Sequence, residues 1–292
     1  MYSMDNNNNI EELTLFPDFF LSDEEEVAEE SLNEEGFKLT NSNVIRSVSD
    51  NQFEIMSNIM KLYMDNKPFD ADITYSQGGF YGKHGNYDMP QPLRKFDVYP
   101  QTEDTEKIEM WGNIPLEDGS VSSIMFDPPF VISPKDAPSI LNGNDGSNLT
   151  FKRFWAYYPV AQLFDSYYHW MEEINRVLKE DGIAVVKCQK TISGSKQLNT
   201  PEWLWLCAES LGLDMVDDFS LVAKARIQSG KVKKQMHSRR FESHFLVFKK
   251  SLKKKTHYLG FASEETIGKI LNGFKEHNLS DTRKPYNRED WI

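Results

Sequence analysis

Apolar residues along the chain follow helical spacing in three segments. In "NQFEIMSNIMKLYMDN", residues 51–66, they recur every three or four positions, which predicts an amphipathic helix. Residues 160–178 show the same spacing and are followed by the turn Asp181-Gly182, which predicts a second helix. The segment "TPEWLWLCAESLG" predicts a third helix, with Thr200 as its N-cap and Pro201 at its first position.

Strand-like runs lie between these helical segments. They are "DITY", "LRKFDVYPQ", "SSIMF", "IAVVKCQ", "MVDDFSLVA" and "ESHFLVFKK". The unbroken run "IAVVKCQ" is typical of a strand that is covered on both faces. The last two runs follow each other without a helix between them, which predicts a hairpin. The pattern therefore predicts an α/β fold with a mostly parallel sheet, helices on both faces and a C-terminal antiparallel hairpin strand.

Composition divides the chain into three parts. Residues 1–37 contain twelve acidic residues and no Lys or Arg, which predicts an acidic, disordered tail. Residues 38–256 hold the predicted α/β domain, with inserts at 131–158 and 226–241. Residues 257–292 are expected to form a C-terminal helix, capped by Ser263, and an irregular tail.

The charge is distributed unevenly, although the net charge is -12. Beyond residue 37 the chain holds 33 basic and 33 acidic residues, because twelve of the 45 acids lie in the tail. Residues 222–255 hold twelve Lys or Arg and one acid, Glu242. This basic stretch predicts contact with a polyanion such as nucleic acid. The acidic tail would mask that stretch, dock on a partner protein, or act only as a solubilising segment.

The cysteines and the hydropathy of the chain argue against a disulfide-rich, zinc-binding, membrane or secreted protein. The two cysteines, Cys188 and Cys207, support neither a disulfide framework nor a zinc site. No run approaches the roughly 20 apolar residues of a membrane span. The first residues lack the basic and apolar regions of a secretory signal. We therefore expect a cytoplasmic protein that neither enters a membrane nor binds a metal.

The tetrapeptide Asp127-Pro128-Pro129-Phe130 ends the run "SSIMF". Neither proline can donate a hydrogen bond to a ladder, so the strand stops there. The stop leaves a carboxylate and an aromatic ring at the carboxyl end of a strand, where ligands bind in open α/β sheets. A simple strand-ending turn is the alternative.

The tetrapeptide resembles the catalytic signature of the S-adenosylmethionine-dependent amino-methyltransferases that modify adenine N6 or cytosine N4 in DNA. The segments "VLKEDGIAVVKCQ" and "RRFESHFLVFKK" resemble later parts of the same enzymes, so the resemblance spans about residues 70–250. It implies a Rossmann-like class I methyltransferase fold, S-adenosylmethionine as cofactor and catalysis by Asp127 to Phe130. Asp127 and the Pro128 carbonyl would accept the two amine protons, and Phe130 would stack on the extruded base.

The part of the chain before the tetrapeptide, where the family binds its cofactor, departs from the family pattern. The Phe-x-Gly-x-Gly loop of the family is missing from this sequence. The resemblance implies that Tyr75, Gly78 and Gly79 take its place, since paired glycines let the backbone approach a ligand. A plain flexible turn at the two glycines is the alternative. It also implies that Asp97 binds the ribose hydroxyls and Asn113 the adenine, with Asp127 at the boundary between cofactor and substrate.

Basic residues in the two inserts are the predicted nucleic-acid contacts. Lys152 and Arg153 lie among aromatic residues, and the second insert supplies Lys231, Lys233, Lys234, Arg239 and Arg240. The resemblance favours DNA over RNA and adenine over cytosine. Two alternatives remain open: a catalytically silent methyltransferase-like subunit, and an α/β nucleotide-binding protein in which "DPPF" is only a turn.

Overall fold

The protein is described by a computed structural model that covers residues 44–132, 156–157, 160–193, 196–224, 237–238, 240–251 and scattered positions from 263 to 272. The helices and strands lie in one compact unit, Arg46–Ile292. The predicted tail, residues 1–37, and most of both predicted inserts fall outside the described residues.

Strands and three complete helices follow one another along the described chain, and residues 265, 266, 268, 269 and 272 are helical as well. The strands are β1 (Val48–Ser49), β2 (Ala71–Asp72), β3 (Gly82–His84), β4 (Tyr87–Met89), β5 (Arg94–Asp97), β6 (Glu106–Lys107), β7 (Val121–Phe126), β8 (Val131–Ile132), β9 (Ala156–Tyr157), β10 (Leu178–Cys188), β11 (Thr191–Ser193), β12 (Lys196–Leu198), β13 (Leu213–Val222) and β14 (Glu242–Lys250). The helices are α1 (Gln52–Tyr63), α2 (Val160–Val177) and α3 (Thr200–Leu211).

Eight of these strands form the main sheet, in the order β1-β13-β14-β10-β7-β2-β5-β6. Strands β10, β7, β2, β5 and β6 pair in parallel, whereas β14 runs antiparallel to both β10 and β13. From β2 the chain moves outward to β5 and β6, then begins again at β7 on the other side of β2. This is the arrangement of a Rossmann-like sheet, and it confirms the predicted fold class with its antiparallel C-terminal strand.

Both faces of the sheet are buried. Four consecutive residues of β10, Ile183 to Val186, are at most 5% exposed although their side chains alternate between the faces. One face packs against α2, whose buried stripe includes Tyr167 and Ile174. Helix α1 buries Ile55, Met56, Ile59 and Met60 and contacts β13. Each of these side chains contributes about 1.5 to 3 kcal/mol by leaving water.

The helix ends follow local chemistry, with one correction to the predictions. The Asn51 side chain caps α1 by accepting the Phe53 N–H at 2.9 Å. Helix α3 ends at Gly212, whose φ of 88° is left-handed and suits glycine. Thr200 is the predicted N-cap of α3, but the structure makes it the first helical residue, and Asn199 takes the cap position. The proline of the N-terminal turn therefore lies one residue further into the helix than predicted.

Candidate active site

The carboxyl ends of β2, β5, β7 and β10 meet at one edge of the sheet. Strands β2 and β7 are neighbours there, and the chain leaves them in opposite directions, so they form the topological switch point of the sheet. Ligands bind at such points in open α/β sheets. Asp72 ends β2, Asp97 ends β5 and Asp127 follows β7, so three carboxyl groups share this edge.

Asp127 is held from two sides. Its backbone N–H donates to Thr74 Oγ1 at 2.6 Å, which ties the tetrapeptide to the loop after β2. Its Oδ2 accepts from Lys187 Nζ at 3.4 Å. The Asp127 side chain is 23% exposed. Burial raises the pKa of Asp127, while the neighbouring Lys187 ammonium lowers it.

The two prolines turn the chain above the core. Pro128 is buried, and Pro129 and Phe130 are half-buried. The Pro129 carbonyl accepts the Tyr167 hydroxyl of α2 at 2.9 Å, and the Tyr167 ring itself is fully buried. This contact fixes the Pro129–Phe130 peptide, so the Pro129 carbonyl already has a partner.

Asp72 is a buried acid of the site that its sequence context did not predict. It is 1% exposed and accepts the Tyr81 hydroxyl at 2.6 Å and the Thr74 N–H at 2.8 Å. The pKa of Asp72 is raised to about 7: burial is the largest cause, the hydrogen bonds from Tyr81 and Thr74 act against it, and the charges of Asp127 and Asp97 add to it. Thr74 Oγ1 lies 3.3 Å from Asp72 Oδ1, so one hydroxyl links Asp72 to the Asp127 backbone.

The predicted cofactor loop follows β2 directly. Gly78 has a φ of 69°, and a Cβ there would lie 2.4 Å from the Tyr75 hydroxyl oxygen. At Gly79 an added Cβ would meet nothing within 4 Å. Tyr75 is 7% exposed and donates its hydroxyl to Gln91 at 2.7 Å. A ligand could therefore approach the backbone at Gly79, whereas the Tyr75 side chain packs against Gly78.

Asp97 supports the same loop. Its Oδ2 accepts the Ser76 N–H at 2.8 Å and its Oδ1 accepts the Tyr99 N–H at 2.7 Å. Burial raises the pKa of Asp97 despite these two bonds. Each carboxylate oxygen keeps a second lone pair, so the group can still accept a ligand hydroxyl.

Asn113 lies in an exposed loop that α2 anchors. Glu173 Oε2 accepts the Ile114 N–H at 2.8 Å, and Arg176 Nη2 donates to the Ile114 carbonyl at 2.9 Å. Arg176 Nη1 also donates to the Leu116 carbonyl at 2.9 Å. These bonds hold the backbone that follows the predicted adenine contact, and neither Glu173 nor Arg176 was predicted.

Most predicted nucleic-acid contacts lie outside the described residues. These are Lys152, Arg153, Lys231, Lys233, Lys234 and Arg239. Arg240 is described and donates to Ser238 at 2.9 Å and to Gln197 of β12. The contact with Gln197 places Arg240 beside the hairpin β11–β12, which follows the carboxyl end of β10.

The described part of the chain contains neither a group of side chains placed to bind a metal nor a helix able to span a membrane. Its residues contain no group of three or more His, Cys, Asp or Glu side chains placed to hold a metal ion. Within the same residues, none of the helices has the length and apolar character required to cross a membrane.

Comparison with solved structures gives distant likenesses. No family model and no curated protein matches the chain. Among solved structures, a protein of Thermus thermophilus, provisionally named a DNA modification methylase and complexed with S-adenosyl-L-methionine, shares 13% identity at a TM-score of 0.31. That match covers 53% of this chain and 56% of the Thermus protein, about half of each.

Two other solved structures are similar to the same degree. The cytosine-N4-specific PvuII DNA methyltransferase shares 15% identity at a TM-score of 0.34, over 60% of this chain and 62% of that one. A Galdieria sulphuraria protein, provisionally named a sarcosine dimethylglycine methyltransferase, shares 13% identity at a TM-score of 0.40, over 68% and 85%. At these scores the likenesses carry no argument about the chemistry of the site.

Proposed function

We propose that the chain transfers a methyl group from S-adenosylmethionine to an exocyclic amine of a base in nucleic acid, with adenine N6 of DNA as the favoured target. The supporting observation is the place of Asp127-Pro128-Pro129-Phe130. The tetrapeptide begins directly after β7 at the switch point, and Thr74, Lys187 and Tyr167 hold it there. A turn that only ended the strand would not need a carboxylate fixed on both sides.

The residues at the edge fit the proposed cofactor. Gly79 leaves open space beside its backbone, as a chain in close contact with a ligand requires. Asp97 can accept ribose hydroxyls, and the exposed Asn113 lies in the loop that Glu173 and Arg176 anchor. Asp72, Asp97 and Asp127 together favour a positively charged ligand. When bound, S-adenosylmethionine supplies an electrophilic methyl group on a positive sulfur.

The contribution of the chain is to orient and activate the amine. The nitrogen of a base amine is a weak nucleophile because its lone pair is delocalised into the ring. The Asp127 carboxylate would accept one amine proton in a hydrogen bond, and the Pro128 carbonyl would accept the other. The Pro129 carbonyl is occupied by Tyr167, so it would serve to fix the turn. Phe130 would stack on the base and hold it in place.

A labelled-methyl assay tests this function. Full-length protein is incubated with tritium-labelled S-adenosylmethionine and unmethylated DNA or RNA, and Asp127→Ala and Phe130→Ala are compared with wild type. Asp65→Asn is the control at a surface acid, because Asp65 is 87% exposed and pairs with Lys67. We expect transfer to DNA that Asp127→Ala reduces about a hundredfold or more, because the amine loses the acceptor that orients it.

The outcomes separate the alternatives. Transfer to RNA in place of DNA would change the substrate but keep the mechanism. Binding of S-adenosylmethionine, measured by calorimetry with Asp97→Ala as control, without transfer to any polymer would contradict the proposal for nucleic acid. Absence of binding would support the catalytically silent subunit.

A further inference from the structure

Lys187 is a cation placed inside the site by the sheet. It lies on β10, which pairs in parallel with β7, and Val186 stands opposite Phe126 in the register. The next residue of each strand is therefore level at the carboxyl edge, which brings Lys187 to Asp127. Its side chain is 14% exposed, and its Nζ lies 3.4 Å from Asp127 Oδ2.

Two aromatic rings enclose the Lys187 ammonium. Its Nζ lies 4.8 Å from the centroid of Phe80 and 5.4 Å from that of Phe245. The two rings meet edge to face, with centroids 6.2 Å apart. Phe245 stands opposite Lys187 in the β10–β14 register, and Phe80 follows the glycine pair. Ring faces attract a cation, so the two rings help to hold the ammonium beside Asp127 and offset part of the cost of removing it from water.

Among the described residues, the other titratable groups that sense the charge of Asp127 are not cations. They are Asp72 at the end of β2, Tyr81 after the glycine pair, Tyr167 on α2 and Cys188 next to Lys187 on β10. Each is neutral or negative. Lys187 therefore opposes the burial of Asp127, which favours the neutral acid.

We propose that Lys187 is a positioning residue that keeps Asp127 ionised and fixes its orientation through Oδ2. This inference rests on the proposed function. The amine forms a bond to the methyl carbon as the carbon–sulfur bond breaks, sulfur keeps the bonding electrons, and one amine proton leaves to solvent. A carboxylate can accept the amine hydrogen bond during this step, whereas a carboxylic acid would present a competing proton.

The test measures the ionisation of Asp127 directly. Full-length protein is labelled with carbon-13 at the Asp side-chain carboxyls, and the NMR signal of Asp127 is assigned by its loss in Asp127→Asn. That signal is then titrated in wild type, Lys187→Met, Lys187→Gln and Lys187→Arg. We expect the neutral variants to move the titration upward by about one pH unit or more, as loss of an adjacent opposite charge does. Lys187→Arg should restore the wild-type titration.

Lys190→Met is the matched control, because Lys190 lies three residues away and pairs with Glu202 at 2.6 Å. It should leave the Asp127 titration unchanged. An unchanged titration in Lys187→Met or Lys187→Gln would overturn the inference. Failure of both variants to fold would also overturn it, since Lys187 would then be required for the fold.

The methyl-transfer assay gives a second readout. In Lys187→Met the acid limb of the rate profile should move to higher pH by the same amount as the titration, so the loss of rate should grow as the pH falls, by up to about tenfold for each pH unit of displacement. A uniform loss at all pH values would point to a structural role only. If wild type transfers no methyl group, the proposed function fails while the carboxyl titration still decides the role of Lys187.

Discussion

Replacing Asp72 with asparagine should remove a pH-dependent loss of stability. Asp72 is 1% exposed and its pKa is raised to about 7, chiefly by burial. Asparagine has nearly the same shape and can still accept the Thr74 N–H through its side-chain oxygen. The Tyr81 hydroxyl can accept from the new amide in place of donating to a carboxylate. Asp72→Asn therefore removes the ionisation with little change in packing.

The sign and size follow from proton linkage. The folded-state pKa lies above the unfolded value of 3.8, so between about pH 4 and pH 7 the native state binds more protons than the unfolded state. The contribution of protonated Asp72 to the free energy of unfolding is therefore fully present below pH 4, and it is lost as the pH rises to 7. A displacement of about three pH units, at about 1.4 kcal/mol each, amounts to about 4 kcal/mol.

Urea unfolding of both proteins at pH 5, 6, 7 and 8 measures this effect. The free energy of unfolding of wild type, relative to Asp72→Asn, should fall by up to about 1.4 kcal/mol per pH unit between pH 5 and 7 and then level off. Asp65→Asn, an exposed acid at a position with φ 50° that asparagine tolerates, should track wild type. A difference between wild type and Asp72→Asn that stays constant across this range would refute the reasoning.

Three further predictions concern the loop, its anchor and the tail. Gly78→Ala should lower the free energy of unfolding, measured in urea, by about 1 to 3 kcal/mol, because φ is 69° and the new Cβ would meet Tyr75. Gly79→Ala should lie within about 1 kcal/mol of wild type, and equal losses in the two variants would contradict this prediction. Arg176→Met should weaken S-adenosylmethionine binding severalfold in calorimetry by releasing the carbonyls that Arg176 holds, and an unchanged Kd would exclude that role. Deletion of residues 1–37 should tighten DNA binding at low salt, and an affinity unchanged at every salt concentration would rule out masking of the basic stretch.

The regular elements were predictable because their signals are local. The spacing of apolar residues in α1 and α2, and the unbroken run of β10, depend on neighbours within a few positions. Adjacent strands without a helix between them also predicted the β13–β14 hairpin. Two-residue strands such as β6 and β8 carry no such signal, since their pairing depends on partners elsewhere in the chain.

The polar contacts of the site were not predictable in the same way. Thr74 is 53 residues from Asp127, and Lys187 is 60 residues from it, so neither spacing marks a relationship. Glu173 is 59 residues from Ile114. Only the strand order brings these groups together. Asp72 carried no such signal either, because the run "DITY" predicts a strand that begins at Asp72, whereas β2 ends there.

The three acids at the sheet edge also bear on what binds there. Burial raises the pKa of Asp72, Asp97 and Asp127, and the charges of the other two raise that of Asp72 further. A cationic ligand would stabilise the ionised forms, so it must displace the proton from Asp72 wherever the pH lies below about 7. Its affinity should therefore increase with pH, by up to about tenfold per unit below pH 7, and then become constant. Calorimetry of S-adenosylmethionine binding at pH 6 and pH 8 checks this prediction. Binding at pH 6 should release protons, and Asp72→Asn should abolish that release. Equal affinities at the two pH values would mean that the cation does not sense Asp72.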